Sequence, residues 1–267
     1  MPELPEVQTI LNELEKELKD KQIEGLDCYH SRTLLWDKEL TATPFPAKII
    51  GLERRGKFIL IHLTNENTII IHLGMTGKLV RDNTIANHPE HERACFRLSE
   101  KEKIHFIDIR TFGKIVLCPT KNIPAYLPEL GVEPLSEDFN LSYLQKALKG
   151  RKAPIKNILM DQKIIAGLGN IYANEILYRA KINPETPASS LSSQRLSKLI
   201  KTTKTVLNEA IEKNGTSISD YRRIDDKKGE FQNFLQIYQK TSCPKGHPVQ
   251  KIKQGGRSTY FCPVCQK

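Results

Sequence analysis

The chain opens Met1-Pro2-Glu3-Leu4-Pro5-Glu6, and this stretch could do chemistry. Methionine ahead of a small residue such as proline is usually trimmed, which would leave Pro2 as a free secondary amine. An α-amino group titrates near 8, against about 10.4 for lysine, so close to neutrality about a tenth of it is unprotonated, roughly 200 times the lysine fraction. A neutral secondary amine adds to an electrophilic sugar carbon and gives an iminium directly. Glu3 beside it offers a carboxylic acid able to protonate a leaving oxygen. Taken alone, Pro and Glu are also what a helix start favours, and that reading is the stronger one.

A second set lies at the other end. Cys243-Pro-Lys-Gly-His247 is followed by Cys262-Pro-Val-Cys265. Tetrahedral zinc takes four thiolate or imidazole ligands, and two tight pairs at the ends of a hairpin supply them. Gly255-Gly256 sits where the hairpin turn would fall. The first pair is Cys-x3-His and not Cys-x2-Cys, and a Cys3His set is chemically sound. We expect one structural Zn2+ on Cys243, His247, Cys262 and Cys265. Such a ribbon is a module and by itself names no reaction.

The elements that must position these residues change character along the chain. Val7, Ile10, Leu11, Leu14 and Leu18 repeat at helical spacing behind Pro2. From Lys57 to Leu117 short β-rich runs follow one another at 58–61, 68–71, 104–107 and 114–117, which predicts an antiparallel sandwich or barrel. Leu130-Gly131-Val132-Glu133-Pro134-Leu135 reads as a hinge. Helices are then predicted over 139–148, 154–160, 170–181 and 191–213. Strands followed by helices, without βαβ alternation, predict an α+β chain of two domains. Polar stretches at 81–92 and 215–230 read as solvated loops, although long loops are often lids. Gly167-Leu168-Gly169-Asn170 fails as a dinucleotide fingerprint, but a glycine turn before a helix can present N–H groups to a phosphate.

Composition narrows the partners. The 267 residues carry 41 Lys and Arg against 31 Asp and Glu, a net charge of +10. That excess suits a polyanion, because basic patches gain affinity by releasing condensed counterions. No apolar run approaches the ~20 residues of a membrane span, and the acidic N-terminus is no secretory signal. Six cysteines, three of them crowded at the C-terminus, fit a reducing compartment with a metal site and not a disulfide framework.

Taken together the motifs resemble the formamidopyrimidine-DNA glycosylases, bacterial repair enzymes for 8-oxoguanine. The resemblance runs over nearly the whole chain. It rests on Pro2 to Val7, Arg54-Arg55-Gly56-Lys57, His72-Leu73-Gly74-Met75-Thr76-Gly77, Asp108-Ile109-Arg110-Thr111-Phe112-Gly113, Met160-Asp161-Gln162-Lys163, Gly167 to Glu175, and the terminal ribbon. It implies an N-terminal antiparallel β-sandwich with flanking helices over 1–130, a hinge over 131–135, a helix-two-turn-helix domain over 136–235 and a β-hairpin zinc ribbon over 236–267.

It also implies residue roles. Pro2 would attack C1′ of the damaged nucleotide and expel the base, with Glu3 as the acid that assists ring opening. Lys57 would hold a phosphate near the scissile sugar. Work on a base inside a duplex requires flipping it out. Met75, Arg110 and Phe112 match the trio that fills the vacated space, where an apolar wedge, a planar cation and a ring suit the task. Lys156, Asn170, Arg257 and His72 would contact phosphates. Glu6 matches a motif carboxylate without an assigned role, and Glu175 would help to position the N-terminus. The 215–230 stretch aligns loosely with the loop that closes over the extruded base. The implied partner is double-stranded DNA holding an oxidised base or an abasic site, bound by a monomer near the bacterial nucleoid in the cytoplasm. Two other readings remain open at this stage: an endonuclease VIII type acting on oxidised pyrimidines, and a noncatalytic zinc-ribbon DNA binder. Pro2-Glu3 argues against the last.

Overall fold

The computed structural model describes residues 1–81 and 90–267. The chain divides into two compact units, Met1–Pro128 with Lys213–Gln232, and Glu129–Glu212 with Asn233–Lys267.

The first unit begins with helix α1 (Leu4–Leu18), whose Val7, Ile10, Leu11, Leu14 and Leu18 are buried as their spacing requires. Nine strands follow: β1 (Gln22–Cys28), β2 (Leu34–Trp36), β3 (Ala47–Arg55), β4 (Phe58–Leu63), β5 (Asn67–His72), β6 (Lys78–Arg81), β7 (Glu92–Leu98), β8 (Lys103–Ile107) and β9 (Lys114–Pro119). They form one sheet in the order β2-β9-β5-β4-β3-β1-β7-β8-β6, antiparallel except for β2 against β9. Bulges interrupt β1, β3 and β7, and bulges bend and twist a sheet. Apolar residues of both halves of the sheet, such as Ile59, Ile71 and Leu117 on one side and Phe96, Ile104 and Phe106 on the other, share a core with α1. The four β runs read from sequence are β4, β5, β8 and β9. The other strands are short, polar or bulged, and carry little periodic signal. The short helix α2 (Ile123–Tyr126) helps to cover Leu60, Ile70 and Cys118 on the opposite face.

The second unit holds α3 (Leu141–Leu148), α4 (Ile155–Leu159), α5 (Asn170–Ala180), α6 (Ser193–Glu212) and a hairpin of β10 (Gln250–Gln254) and β11 (Arg257–Phe261). No helix among the described residues is long and apolar enough to cross a membrane.

The stretch read as a hinge begins just after the division at Pro128 and Glu129 and is bonded into the second unit: Gly131 N–H donates to the Gln162 carbonyl at 2.8 Å, and Val132 bridges Ile165. A Cβ on Gly131 would stand 2.2 Å from the Ile164 carbonyl oxygen, so this approach needs glycine. The 215–230 stretch, grouped above with the helices and read as solvated, returns to the first unit. Tyr221 and Ile224 are buried in its core. Arg81 N–H donates to the Ile224 carbonyl at 2.9 Å. Arg223 Nε and Ile224 N–H both donate to the Glu13 carboxylate, at 2.5 and 3.1 Å. Most of the other polar stretch, 81–92, lies outside the described residues.

Candidate active site

Pro2 is buried at the head of α1, and Glu3 is the residue that caps it. Glu6, one turn on, spends both carboxylate oxygens there. Oε2 accepts the Glu3 backbone N–H at 2.8 Å, and Oε1 accepts the Thr216 N–H at 2.7 Å. A buried carboxylate bonded to two amides is a rigid clamp. It fixes the backbone of Glu3, hence the direction of Pro2, and ties residue 216 to the same point. A Cβ on Gly215 would press on Glu6 at 2.9 Å, so the clamp also depends on that glycine.

Lys57 occupies the two-residue turn between β3 and β4 with Gly56, whose φ of 57° is the left-handed region such a turn needs. It is buried, and its charge reaches His72. Burial, with Lys57 adding to it, lowers His72 to about 4, so the ring is neutral at neutral pH. The Gly74 N–H donates to His72 Nδ1 at 3.3 Å, which leaves Nε2–H as a donor. This has a stability consequence. The unfolded chain takes up the His72 proton near 6.5 and the folded chain only near 4. The group's contribution is therefore present above pH 6.5 and lost as the pH falls toward 4. By pH 5 the loss is about 2 kcal/mol. Denaturant unfolding at pH 7 and pH 5 should show that loss in the native chain and a smaller one in His72→Gln. Equal losses in both would contradict it.

Met75, Arg110 and Phe112 project from two turns locked together. Met75 is 38% exposed and Phe112 52%, unusual for large apolar side chains with no core to fill. The Arg110 guanidinium sits 4.9 Å from the Phe112 ring centre. Behind them Asp108, fully buried, bonds both turns. Its Oδ1 accepts the Thr76 hydroxyl and, at 3.2 Å, the Arg110 N–H, while Oδ2 accepts the Gly113 N–H at 2.7 Å. A Cβ on Gly74 would lie 2.7 Å from the backbone of Phe112 and Gly113, so the turns touch through glycine. Thr111 holds a φ of 57°, costly for a β-branched residue and consistent with a turn over-determined by Asp108. Asp108 and Thr76 stand inside the motifs named above without a role of their own, and the signal for Asp108 is an acid that ends an apolar strand before a glycine turn.

In the second unit the structure joins residues far apart in sequence. Asn170 Nδ2 donates to the Ser258 carbonyl at 3.0 Å, and Lys156 Nζ lies 3.5 Å from the same oxygen. Arg257, the next residue back, is exposed on the hairpin. Lys156 is itself fully buried, so any phosphate contact it makes requires Nζ to be uncovered. Asn174 fastens the arrangement by accepting the Tyr260 N–H at 2.7 Å. Glu175 is buried and accepts three backbone N–H groups, from Gln236, Ile237 and Tyr238, at 2.8 to 2.9 Å. Its visible work is to hold the turn at 236–238 that leads into the ribbon.

Cys243, His247, Cys262 and Cys265 present ligand atoms all within 4.8 Å of one another. His247 Nδ1 lies 3.6 Å from Cys243 Sγ and 3.4 Å from Cys265 Sγ. Burial opposes ionisation of Cys243, but the Lys245 and His247 amides and the Tyr178 hydroxyl outweigh it and bring the thiol below its ordinary range. Three sulfurs and one imidazole nitrogen in this cluster fit one structural zinc.

Comparison with known proteins follows the same division. Residues 1–115 match the formamidopyrimidine-DNA glycosylase N-terminal domain, 130–222 its H2TH domain, and 246–267 a zinc finger found in FPG and IleRS. The formamidopyrimidine-DNA glycosylase of Pelotomaculum thermopropionicum is 41% identical over 274 residues, covering 100% of this chain and 99% of that protein. A Lactococcus lactis Fpg variant in complex with Fapy-dG-containing DNA superimposes with a TM-score of 0.91 at 34% identity, over 100% of both chains. The Lactococcus lactis Fpg with abasic-site DNA gives 0.90 at 33%, over 99% of both.

Proposed function

The chain belongs to the formamidopyrimidine-DNA glycosylase family, and from that membership we propose how its own residues carry out excision of oxidised purines and cleavage at abasic sites. Once Met1 is removed, the Pro2 nitrogen attacks C1′ of the damaged nucleotide, and the C1′–N bond to the base breaks. Glu3 donates the proton that opens the sugar ring. The iminium so formed withdraws electrons from the sugar. A proton leaves C2′ and the 3′ phosphate departs, and a second elimination releases the 5′ phosphate. The strand is thus cut on both sides of the sugar. Water then frees Pro2.

The observation that carries this reading is the Glu6 clamp, which holds the Glu3 backbone and Thr216 at the head of α1. A helix start without chemistry has no need to tie a distant segment to its first residue. Lys57 is the cation that holds a backbone phosphate, and His72 a neutral Nε2–H donor to another. Met75, Arg110 and Phe112 enter the duplex, the exposed methionine and phenylalanine filling the gap while Arg110 bonds the orphaned base. Asn170 and Arg257, with Lys156 once uncovered, add phosphate contacts from the second unit. The protein works as a monomer in the bacterial cytoplasm.

Borohydride reduction of the iminium tests the reading. On duplexes carrying 8-oxoguanine, a formamidopyrimidine, an oxidised pyrimidine or an abasic site, the trapped protein–DNA adduct should form fastest on the abasic and oxidised-purine substrates. Preference for the oxidised pyrimidine would favour the endonuclease VIII type, and no adduct on any duplex would leave a DNA binder.

A further inference from the structure

We propose that Glu92, Cys95 and His105 form a second metal site, in the first unit, for a thiophilic divalent ion such as Zn2+. The three residues meet because of strand register. Cys95 on β7 lies directly opposite His105 on β8, while the neighbouring Ala94, Phe96, Ile104 and Phe106 point into the core. Strand alternation therefore puts Cys95 and His105 together on the other face. Glu92 would belong to the core face in a regular strand. The bulge at Arg93 shifts the count by one, so that Glu92 pairs with Ile107 and shares the face of His105. An inserted residue has brought a third ligand type to this face.

All three side chains are buried, and each offers a ligand atom within 4.8 Å of the other two. His105 Nδ1 lies 2.5 Å from Glu92 Oε1. The second ring nitrogen, Nε2, is buried with no hydrogen-bond partner among the described residues. An ion seated between His105 and Glu92 in place of this hydrogen bond takes one ligand atom from the ring, one from the carboxylate and a third from the Cys95 sulfur.

Charge completes the argument. A carboxylate and a thiolate carry two negative charges, and a neutral imidazole adds none, so a divalent ion gives a neutral buried site. One thiolate, one imidazole and one carboxylate suit zinc with a fourth position for water.

The test is metal stoichiometry of the full chain. After dialysis against Zn2+ at micromolar free concentration, elemental analysis should find about two ions per native chain, and about one in Cys95→Ser and in Glu92→Gln, the ribbon keeping its own. Borohydride trapping on abasic DNA should be unchanged in both variants, which shows that they fold. With Co2+ in place of zinc, the native chain should show thiolate charge-transfer absorption that Cys95→Ser partly loses. A native chain holding a single ion, or variants that bind as much metal as the native chain, would overturn the proposal, and either result leaves the glycosylase reading intact.

Discussion

Pro2→Gly should cut the rate of borohydride trapping on an abasic duplex by roughly a hundredfold or more, and an N-terminal tag that is never cleaved should abolish it. A hundredfold corresponds to about 2.7 kcal/mol of transition-state stabilisation. The two variants separate two contributions. Glycine leaves a primary amine at the same place, still able to form an imine, but it removes the ring that blocks rotation about N–Cα and with it the fixed direction of the nitrogen lone pair. The tag leaves the proline ring in place and converts its nitrogen to an amide, which has no lone pair to donate. Glu6→Gln should cost less than either, since the nucleophile is intact and an amide can still accept through its oxygen, but it must present an NH2 group to one of the two N–H donors that Glu6 now satisfies. Intact mass spectrometry belongs with the kinetics. An active preparation that retains Met1, or normal trapping by the tagged chain, would end the role given to Pro2.

The sequence made the chemical residues legible because they stand in short contiguous motifs. Pro2, Glu3 and Glu6 lie within five residues, and Asp108 to Gly113 is one turn. It made α1 and the strands β4, β5, β8 and β9 legible because burial on one or both faces writes a period or an apolar run into the residues. It could not show what depends on pairing at a distance. The stretch 215–230 looks solvated because it is polar and charged, yet its charge is partly spent on Glu13, some 210 positions away, and two apolar residues are enough to seat it in the core. The second unit hides its logic in the same way. Lys156, Asn170 and Ser258 are joined by one carbonyl that no motif marks. Glu175 was read as a support for the N-terminus from its place in a motif, and its three backbone partners at 236–238 could not be found without coordinates. Gly131, read as part of a hinge, also permits close packing on the Ile164 backbone, which no motif marks.

Removing zinc should weaken DNA binding without unfolding the first unit. The ribbon's own core is small: Cys243 and Cys262 are themselves among its buried residues, packed with Tyr178 and Ile237. So short a segment cannot bury enough apolar surface to hold its shape, and the metal supplies the difference. Cys262→Ser removes a fully buried ligand and should release the hairpin. The consequence for DNA follows from Ser258. When β11 loosens, the carbonyl that gathers Asn170 and Lys156 is lost, and Arg257 is no longer held beside it. Two of these three side chains are cations. The slope of log affinity against log salt should therefore shrink by about 1.8, two contacts at about 0.9 each. Affinity at low salt should fall by at least tenfold, while trapping at saturating DNA persists, because Pro2 belongs to the other unit. His247→Cys should keep both the metal and the slope, since a fourth thiolate completes the set, whereas His247→Ala should lose both. An unchanged salt slope in Cys262→Ser would mean that the ribbon does not carry phosphate contacts, and elemental analysis finding no zinc in the native chain would remove the metal from the account.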